Sequence, residues 1–482
     1  MSFLSLAYFG FFPVAAVGYF LLPARGKNIW LLGCSWFFYL CAGAEYVPFL
    51  ILTTLLTYLV GLRLAGRGGR GTLTAALAVF VAALGVFKYL GFGMSLVKDA
   101  LALVGLDWSA RVPKLLLPAG ISFYFFTAMG YLIDVYRGRQ EAERSFTRCA
   151  LLLAFFPALL SGPIGRGRDL LPQFAQSHPF DYVALREGFV RFLWGACKKL
   201  LLADRLAVMV NTVFAGPEKF GAAQVVLAAC AFSIQIYCDF SAYTDMALGS
   251  ARAMGFTLAE NFRTPYFAWS IADFWRRWHM SLSTWFRDYL YIPLGGSRKG
   301  RGRTYLNLLI VFAVSGLWHG AAASFVVWGL LNGLYQVAGA VTKPGRTKVR
   351  RVLRLSEDTK LSALWQMGCV FVLSTVAWVF FQAGSVGGAL AVFRNMVKPV
   401  LWDVGGLAAM GLDRKEAAVA GVALLALLGV DVWSLSERPC KRVATLPRAA
   451  RWAVCLMLLL AAAVFGSYGT GYDAQSFIYF RF

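Results

Sequence analysis

The run Tyr46-Val-Pro-Phe-Leu-Ile-Leu-Thr-Thr-Leu-Leu-Thr-Tyr-Leu-Val-Gly-Leu62 contains no charged residue, and it is bounded by Glu45 before it and Arg63 after it. About twenty such residues at a 1.5 Å rise cover the roughly 30 Å hydrocarbon core of a bilayer as one α-helix. Runs of the same kind recur along the chain, at 3–22, 28–44, 46–65, 72–97, 115–135, 149–164, 187–214, 221–250, 305–318, 321–341, 362–382, 416–434 and 450–466. Some are too short to cross alone, so the pattern predicts about eleven crossings plus re-entrant pieces. Composition agrees: 59% of the 482 residues are hydrophobic, 16% aromatic and only 15% charged, and the mean hydropathy is +0.62. A soluble enzyme and a disordered chain are both excluded by these values. A β-barrel would alternate in short segments instead of running continuously. The fold class is therefore an all-α polytopic membrane protein, read as a single integral domain over 1–482.

Two spans carry their own punctuation. The segment 149–164 contains Phe156-Pro157 and Ser161-Gly162-Pro163, which predicts a broken or re-entrant helix lined by protein or a water-filled cavity. The first span, from Phe3 to Leu22, lacks a basic leader and a clear cleavage site, and is read as retained.

The formal net charge is +23, from 47 Lys and Arg against 24 Asp and Glu. The excess is read as lying in short loops between apolar runs. Arg25 and Lys27, then Arg63, Arg67 and Arg70, then Arg137, Arg139, Arg144 and Arg148 follow the first, third and fifth spans. The turn after the second span holds Glu45 and no positive residue. That alternation puts these basic loops in the cytoplasm and the N-terminus outside; Lys88, Lys98, Arg111 and Lys114, around and after the fourth span, run against it. The basic stretch 343–354 is read as another cytoplasmic loop. Anionic lipid headgroups and an anionic cofactor are the partners this charge suits, and no basic stretch is attached to a soluble fold that would bind nucleic acid. The nine cysteines show no C-x-x-C and no zinc spacing, so no metal site is indicated.

Three polar constellations stand out against the apolar background. The first is 261–303, containing Asp273-Phe-Trp-Arg-Arg-Trp-His279-Met-Ser-Leu-Ser-Thr-Trp-Phe-Arg-Asp288. Its interleaved aromatics and arginines suit a helix at the interface or lining a funnel. The second is Val314-Ser-Gly-Leu-Trp-His319-Gly-Ala-Ala-Ala-Ser. An ionisable group at membrane depth is costly and marks function by default. Ser315 and Gly316 one turn back, and Ala322 and Ala323 one turn ahead, leave room beside the His319 ring for a substrate. The competing reading is that these small residues serve close helix packing. The third is Gln235-Ile-Tyr-Cys-Asp239-Phe-Ser-Ala-Tyr-Thr-Asp245-Met, whose acids need internal partners, with Arg252 or an arginine of 263–287 as candidates. Structural ion pairing and a pathway lining are both open there. Cys238 has no adjacent base and is read as inert. Of the three histidines, His178 sits in a polar loop and is expected to be solvated, and His279 is either an anchor or a functional group.

These stretches, with Asn261-Phe-Arg-Thr-Pro-Tyr, Arg287-Asp-Tyr-Leu-Tyr-Ile-Pro-Leu-Gly-Gly and the C-terminal Phe477-Ile-Tyr-Phe, resemble the membrane-bound O-acyltransferase (MBOAT) family. Their order and spacing cover most of the chain. The nearest likeness is to the bacterial branch that holds alginate O-acetyltransferase and the D-alanyl transfer protein of teichoic acid synthesis, and the Tyr-Ile-Pro-Leu-Gly-Gly-Ser-Arg-Lys-Gly run favours the alginate type. The resemblance implies a ring of helices around a central tunnel. It implies that His319, in the helices of about 305–341, matches the family's catalytic histidine, and that His279 matches a second polar position forty residues earlier, which is an asparagine in many eukaryotic relatives.

The resulting expectation is acetyl transfer in the bacterial inner membrane, with acetyl-CoA as a substrate and no bound cofactor. Arg298, Lys299, Arg301 and Arg303 would meet the donor phosphates, and His319 would take the proton of an acceptor hydroxyl as it attacks the thioester. His279 would orient the donor or stabilise the oxyanion, with the Trp318 indole as another donor. Ser315, Asp239, Asp245 and Tyr243 would line the tunnel. The acetyl group would pass to an extracytoplasmic polysaccharide or to a periplasmic accepting partner. Two alternatives stay open: D-alanyl-type transfer from a carrier protein to a cell-envelope polymer, and a proton-coupled transporter built on Asp239, Asp245 and His319.

Overall fold

Every regular element among the described residues is a helix, and none is a strand, as required where each segment must satisfy its own backbone N–H and C=O groups. The structure is a computed structural model that describes residues 1–66, 68–106, 117–352, 359–400, 402 and 406–468. The expectations attached to Arg67, Arg111, Lys114, the end of the 343–354 stretch and Phe477-Ile-Tyr-Phe lie outside the described residues. Seven helices of the described residues are long and apolar enough to cross a membrane, between them covering Ala44–Ala65, Arg70–Met94, Ala222–Ala253, Ala323–Lys348, Lys360–Gln382, Arg414–Trp433 and Arg448–Phe465. The chain folds as two compact units.

The first unit comprises Met1–Phe192 and Met246–Ala259. It contains α1 (Leu6–Leu21), α2 (Ala24–Leu40), α3 (Val47–Ala65), α4 (Arg70–Leu103), α5 (Ile121–Tyr136), α6 (Phe146–Ala154), α7 (Phe156–Leu159), α8 (Gly167–Phe174) and most of α9 (Tyr182–Cys197). α5 is buried from Ile121 to Val135, so it forms the unit's centre, and its apolar composition all round is what such a position requires. The break read from Phe156-Pro157 is present between α6 and α7. There Phe156 N, which has lost its helical acceptor, donates to Ser35 Oγ at 3.2 Å. The irregular backbone is tolerated because protein surrounds it. Gly120 opens α5 at φ +73°, where an added Cβ would lie 2.5 Å from the Leu159 carbonyl oxygen, so only glycine fits.

Three expectations about this unit are corrected. His178 is half-buried, not solvated: its Nε2 lies 3.0 Å from the Gln173 carbonyl and its ring meets Phe256 edge-on at 4.6 Å. Burial accordingly lowers its pKa below the usual histidine range. Lys27 is no loop charge but a buried residue of α2. Its Nζ donates to the His178 carbonyl at 2.9 Å and sits 4.9 Å from the Tyr19 ring centroid, which compensates the buried ammonium. Lys88 lies within α4, inside a spanning segment and not in a loop.

The second unit comprises Leu193–Asp245 and the described residues from Glu260 onward. After α9 the chain makes a π-helical turn at Lys198–Ala203 and continues as α10 (Asp204–Ala215) and α11 (Ala222–Ala253). Then follow α12 (Ile271–Arg277), α13 (Met280–Phe286), α14 (Arg301–His319), α15 (Ala323–Val352), α16 (Lys360–Gln382), α17 (Val386–Asn395), α18 (Gly406–Ala409), α19 (Arg414–Trp433), α20 (Pro439–Ala444) and α21 (Arg448–Phe465). The run 187–214, read as one span, is thus interrupted at its two lysines. Starts are set by short polar caps: Ser270 Oγ accepts from Asp273 N, Thr359 Oγ1 from Ser362 N and Asp413 from Glu416 N, each meeting an otherwise orphaned donor.

α14 and α15 form a tight antiparallel pair. An added Cβ would lie 2.3 Å from the Phe325 carbonyl oxygen at Gly316 and 2.2 Å from the Phe312 carbonyl oxygen at Gly329. The glycines therefore let the two backbones touch, as small residues do between helices in membranes.

Candidate active site

α14 ends at His319, and Gly320 continues in extended conformation. Ala322 and Ala323 are therefore not one helical turn ahead of His319, as its neighbours in sequence suggest. Ala322 lies in the turn and Ala323 opens α15. Nor do small residues leave open room beside the ring. The imidazole is enclosed by Trp318 at 4.7 Å, Trp328 at 4.9 Å and Phe381 at 5.3 Å, all edge to face, and the residue is 4% exposed. Trp328 comes from α15 and Phe381 from α16, so α14 supplies the histidine and the next two helices supply its walls. Behind them Trp328 stacks on Trp378 at 5.5 Å, and Trp378 meets Trp278 at 5.0 Å.

The segment 261–303 is not one helix. It divides into α12 and α13, and the joint is His279 itself, at φ 42°, ψ 55°. Thr264 at φ 44° is the other positive-φ residue that is not glycine among the described residues. The two are tied together: Arg263 N donates to Arg277 O at 3.0 Å and Met280 N to Asn261 O at 2.9 Å. A histidine in the left-handed region is uncommon and costs about 1–2 kcal/mol, so the surroundings must fix it. Asn261 does so. Its Oδ1 accepts from Ser281 Oγ at 2.6 Å and Ser281 N at 3.2 Å, and lies 3.4 Å from His279 Nδ1. Its Nδ2 donates to Thr244 Oγ1 of α11 at 3.4 Å.

The His279 ring is buried. Phe240 of α11 meets it edge-on at 4.6 Å, and Trp318 lies 6.2 Å away. Burial pushes the imidazole down to about 3, which keeps it neutral across the physiological range. Trp318 thus packs near both histidines, 6.2 Å from one ring and 4.7 Å from the other. The structure brings together His279, Trp318 and His319, residues that the sequence separates by forty positions; Ser315 is buried on α14.

The remaining predicted residues lie elsewhere. Arg298, Lys299, Arg301 and Arg303 are exposed around the start of α14. The 19 residues of that helix put His319 about 27 Å from Arg301 at 1.5 Å per residue. Asp239 and Asp245 meet buried lysines. Asp245 accepts from Lys198 Nζ at 2.6 Å, and Asp239 from Lys199 Nζ at 2.6 Å, with Asp204 on the same ammonium at 2.7 Å. Tyr243 packs by the same lysine, whose Nζ is 5.6 Å from its ring. Arg252 instead binds Glu187 at 2.8 Å. Tyr237 donates to both oxygens of Asp431 at 3.1 Å. The sequence reading missed Lys198, Lys199 and Asp431, although two adjacent lysines inside an apolar run are the signal that an internal partner exists. Among the described residues no group of three or more His, Cys, Asp or Glu could hold a metal ion.

Comparison with known proteins identifies the family. The family model for MBOAT, the membrane-bound O-acyltransferase family, matches residues 143–382. The chain is 36% identical over 447 residues to the probable alginate O-acetylase AlgI of Azotobacter vinelandii, covering 92% of this chain and 86% of that protein. The chain belongs to the MBOAT family. It is an O-acyltransferase and a multi-pass membrane protein. The peptidoglycan O-acetyltransferase of Helicobacter pylori is 32% identical over 430 residues, covering 81% of this chain and 78% of that protein. The teichoic acid D-alanyltransferase of Bacillus subtilis is 26% identical over 231 residues, covering 44% of this chain and 56% of that protein. The MBOAT match contains His279, Trp318 and His319, the aromatic walls Trp328 and Phe381, Asn261 and both buried lysines. The resemblance read from the sequence motifs was therefore to the right family.

Proposed function

We infer that this protein transfers an acetyl group from cytoplasmic acetyl-CoA across a bacterial inner membrane for O-acetylation of an extracytoplasmic polysaccharide of alginate type, with His319 as general base. The observation that carries this reading is the pair of buried imidazoles that both neighbour Trp318, in a chain whose O-acetylase relatives match over most of its length. The D-alanyltransferase likeness covers less than half of the chain, which favours acetyl over D-alanyl, and no observation favours a transporter.

In this reading the acceptor hydroxyl gives its proton to His319 as its oxygen attacks the thioester carbonyl. The coenzyme A thiolate leaves without a covalent enzyme intermediate. The aromatic walls keep water from the thioester, and a dry site strengthens each polar contact within it. The helical ring and tunnel implied by the family would provide access from both faces. The acetyl group passes to the polymer directly or through a periplasmic accepting partner.

The test is transfer of radiolabelled acetyl from acetyl-CoA to polysaccharide in membrane vesicles. Label that stays on the donor, with D-alanyl transfer from a charged carrier protein or solute uptake observed instead, would replace the assignment. The exposed basic residues at the start of α14 are the donor-phosphate site in this reading, with the pantetheine arm directed along the helix toward His319. Arg298→Ala with Arg301→Ala is expected to raise the KM for acetyl-CoA about tenfold while leaving kcat near the parent value, since each charge-assisted phosphate contact contributes roughly 1.5–3 kcal/mol at most and these are exposed. An unchanged KM would place the phosphates elsewhere.

A further inference from the structure

The geometry assigns Asn261 as the positioning residue of His279: it holds the imidazole with the proton on Nδ1 and presents Nε2 as a lone-pair acceptor. This deepens the transferase reading and rests on it for the role of His279 in turnover.

The argument begins with a backbone donor. An amide oxygen and nitrogen are hard to tell apart by shape alone, so the orientation of Asn261 must come from its partners. Ser281 N can only donate, and it faces Asn261 at 3.2 Å. The atom there is therefore the carbonyl oxygen, and the amide nitrogen points to Thr244 Oγ1. The same oxygen lies 3.4 Å from His279 Nδ1. An amide oxygen only accepts, so this contact is a hydrogen bond when Nδ1 carries the proton. A neutral imidazole has one N–H, which leaves Nε2 unprotonated.

A second observation makes the role more than ring orientation. Asn261 binds the residues after the histidine twice, through its carbonyl to Met280 N and through its side chain to Ser281. Those bonds close the left-handed turn at His279. One residue fixes the backbone, the ring direction and the tautomer together, which is the work second-layer partners do for functional histidines. The consequence bears on mechanism. In this tautomer Nε2 accepts a proton or hydrogen bond and cannot donate to an oxyanion, so His279 acts on the hydroxyl or donor side of the reaction and the oxyanion is met by other groups.

Among the described residues, Asn261 meets Nδ1 of the ring, and Phe240 of α11 and Trp318 of α14 pack against it. Of the charged residues on the neighbouring elements, Asp239 pairs with Lys199, Asp245 with Lys198 and Arg277 with Asp273.

The test uses the full-length protein in lipid nanodiscs with nitrogen-15 histidine. The chain has three histidines, so the spectrum holds three imidazoles, and the His279 signals are assigned by their loss in His279→Gln. The expected result is the Nδ1–H tautomer in the parent protein, its loss or averaging in Asn261→Leu, and its retention in Asn261→Asp. In acetyl transfer, Asn261→Leu is expected to lower kcat about 100-fold with KM for acetyl-CoA little changed. Asn261→Asp keeps the acceptor and places a carboxylate beside the ring, which favours the cation. An Nε2–H tautomer in the parent protein, or an Nδ1–H tautomer kept unchanged in Asn261→Leu, overturns the proposal. The tautomer is read without turnover, so it stands or falls separately from the transferase assignment, which the transfer assay decides.

Discussion

Replacing His319 by alanine is expected to lower acetyl transfer by at least about 100-fold, and by up to about 10,000-fold, the range over which a positioned acid or base contributes. The protein should still reach the membrane. His319 ends α14, its ring is a wall element among Trp318, Trp328 and Phe381, and alanine is a good helix former. Removing the ring does leave a gap among three aromatics, so some loss of stability is expected from lost contacts alone. His319→Gln separates the two effects. It fills most of the volume and offers hydrogen bonds, but its amide cannot take a proton near neutral pH. Chemistry lost in both variants, with elution and melting of the Gln variant close to the parent, is the expected outcome. Transfer at the parent rate in a well-folded His319→Ala protein would remove the general-base role and leave His319 as a packing residue.

How much of this could be read beforehand depends on where each constraint comes from. Constraints that are local in sequence were legible. The apolar runs became helices, Phe156-Pro157 broke α6 from α7, and the residues flanking His319 were marked as unusual. Constraints set by distant partners were not. Nothing between Asp273 and Thr284 signals a left-handed turn at His279, since there is no glycine or proline there. The turn exists because Asn261 reaches it from 18 positions away. The small residues around His319 admitted two readings, room for substrate or close packing. Gly316 faces Phe325 on α15 and serves packing, while the sides of the imidazole are filled by rings whose positions only the α14 to α16 arrangement determines. The acids of α11 were known to need cations. Arginines nearby in sequence were the natural candidates, yet the partners come from 40 and 47 positions upstream, at the π-helical turn that the run 187–214 conceals.

That turn carries the largest expected stability effect. Lys199→Met should destabilise the protein by about 3–5 kcal/mol, because removing one member of a buried ion pair leaves uncompensated charge in a medium that solvates it poorly. Here two carboxylates share the ammonium, at 2.6 and 2.7 Å, and the side chains of Lys199 and Asp239 are 2% and 4% exposed. Both acids would lose this ammonium at once. Met keeps the length of the aliphatic stem, so the change is electrostatic more than steric. The measurement is the melting transition of the purified protein in detergent, with membrane yield as a second readout. Burial also predicts that the loss is nearly independent of salt, unlike a surface pair, which screening weakens. A double change distinguishes pairing from packing: Lys199→Met with Asp239→Asn removes one stranded charge and should recover part of the loss, giving a coupling energy within the 0.5–3 kcal/mol found for residues in contact. Full recovery is not expected, because Asp204 remains on the same site. If Lys199→Met melted like the parent, the lysine would not be holding α10 and α11 by charge, and the buried acids would have to be neutral in the folded protein.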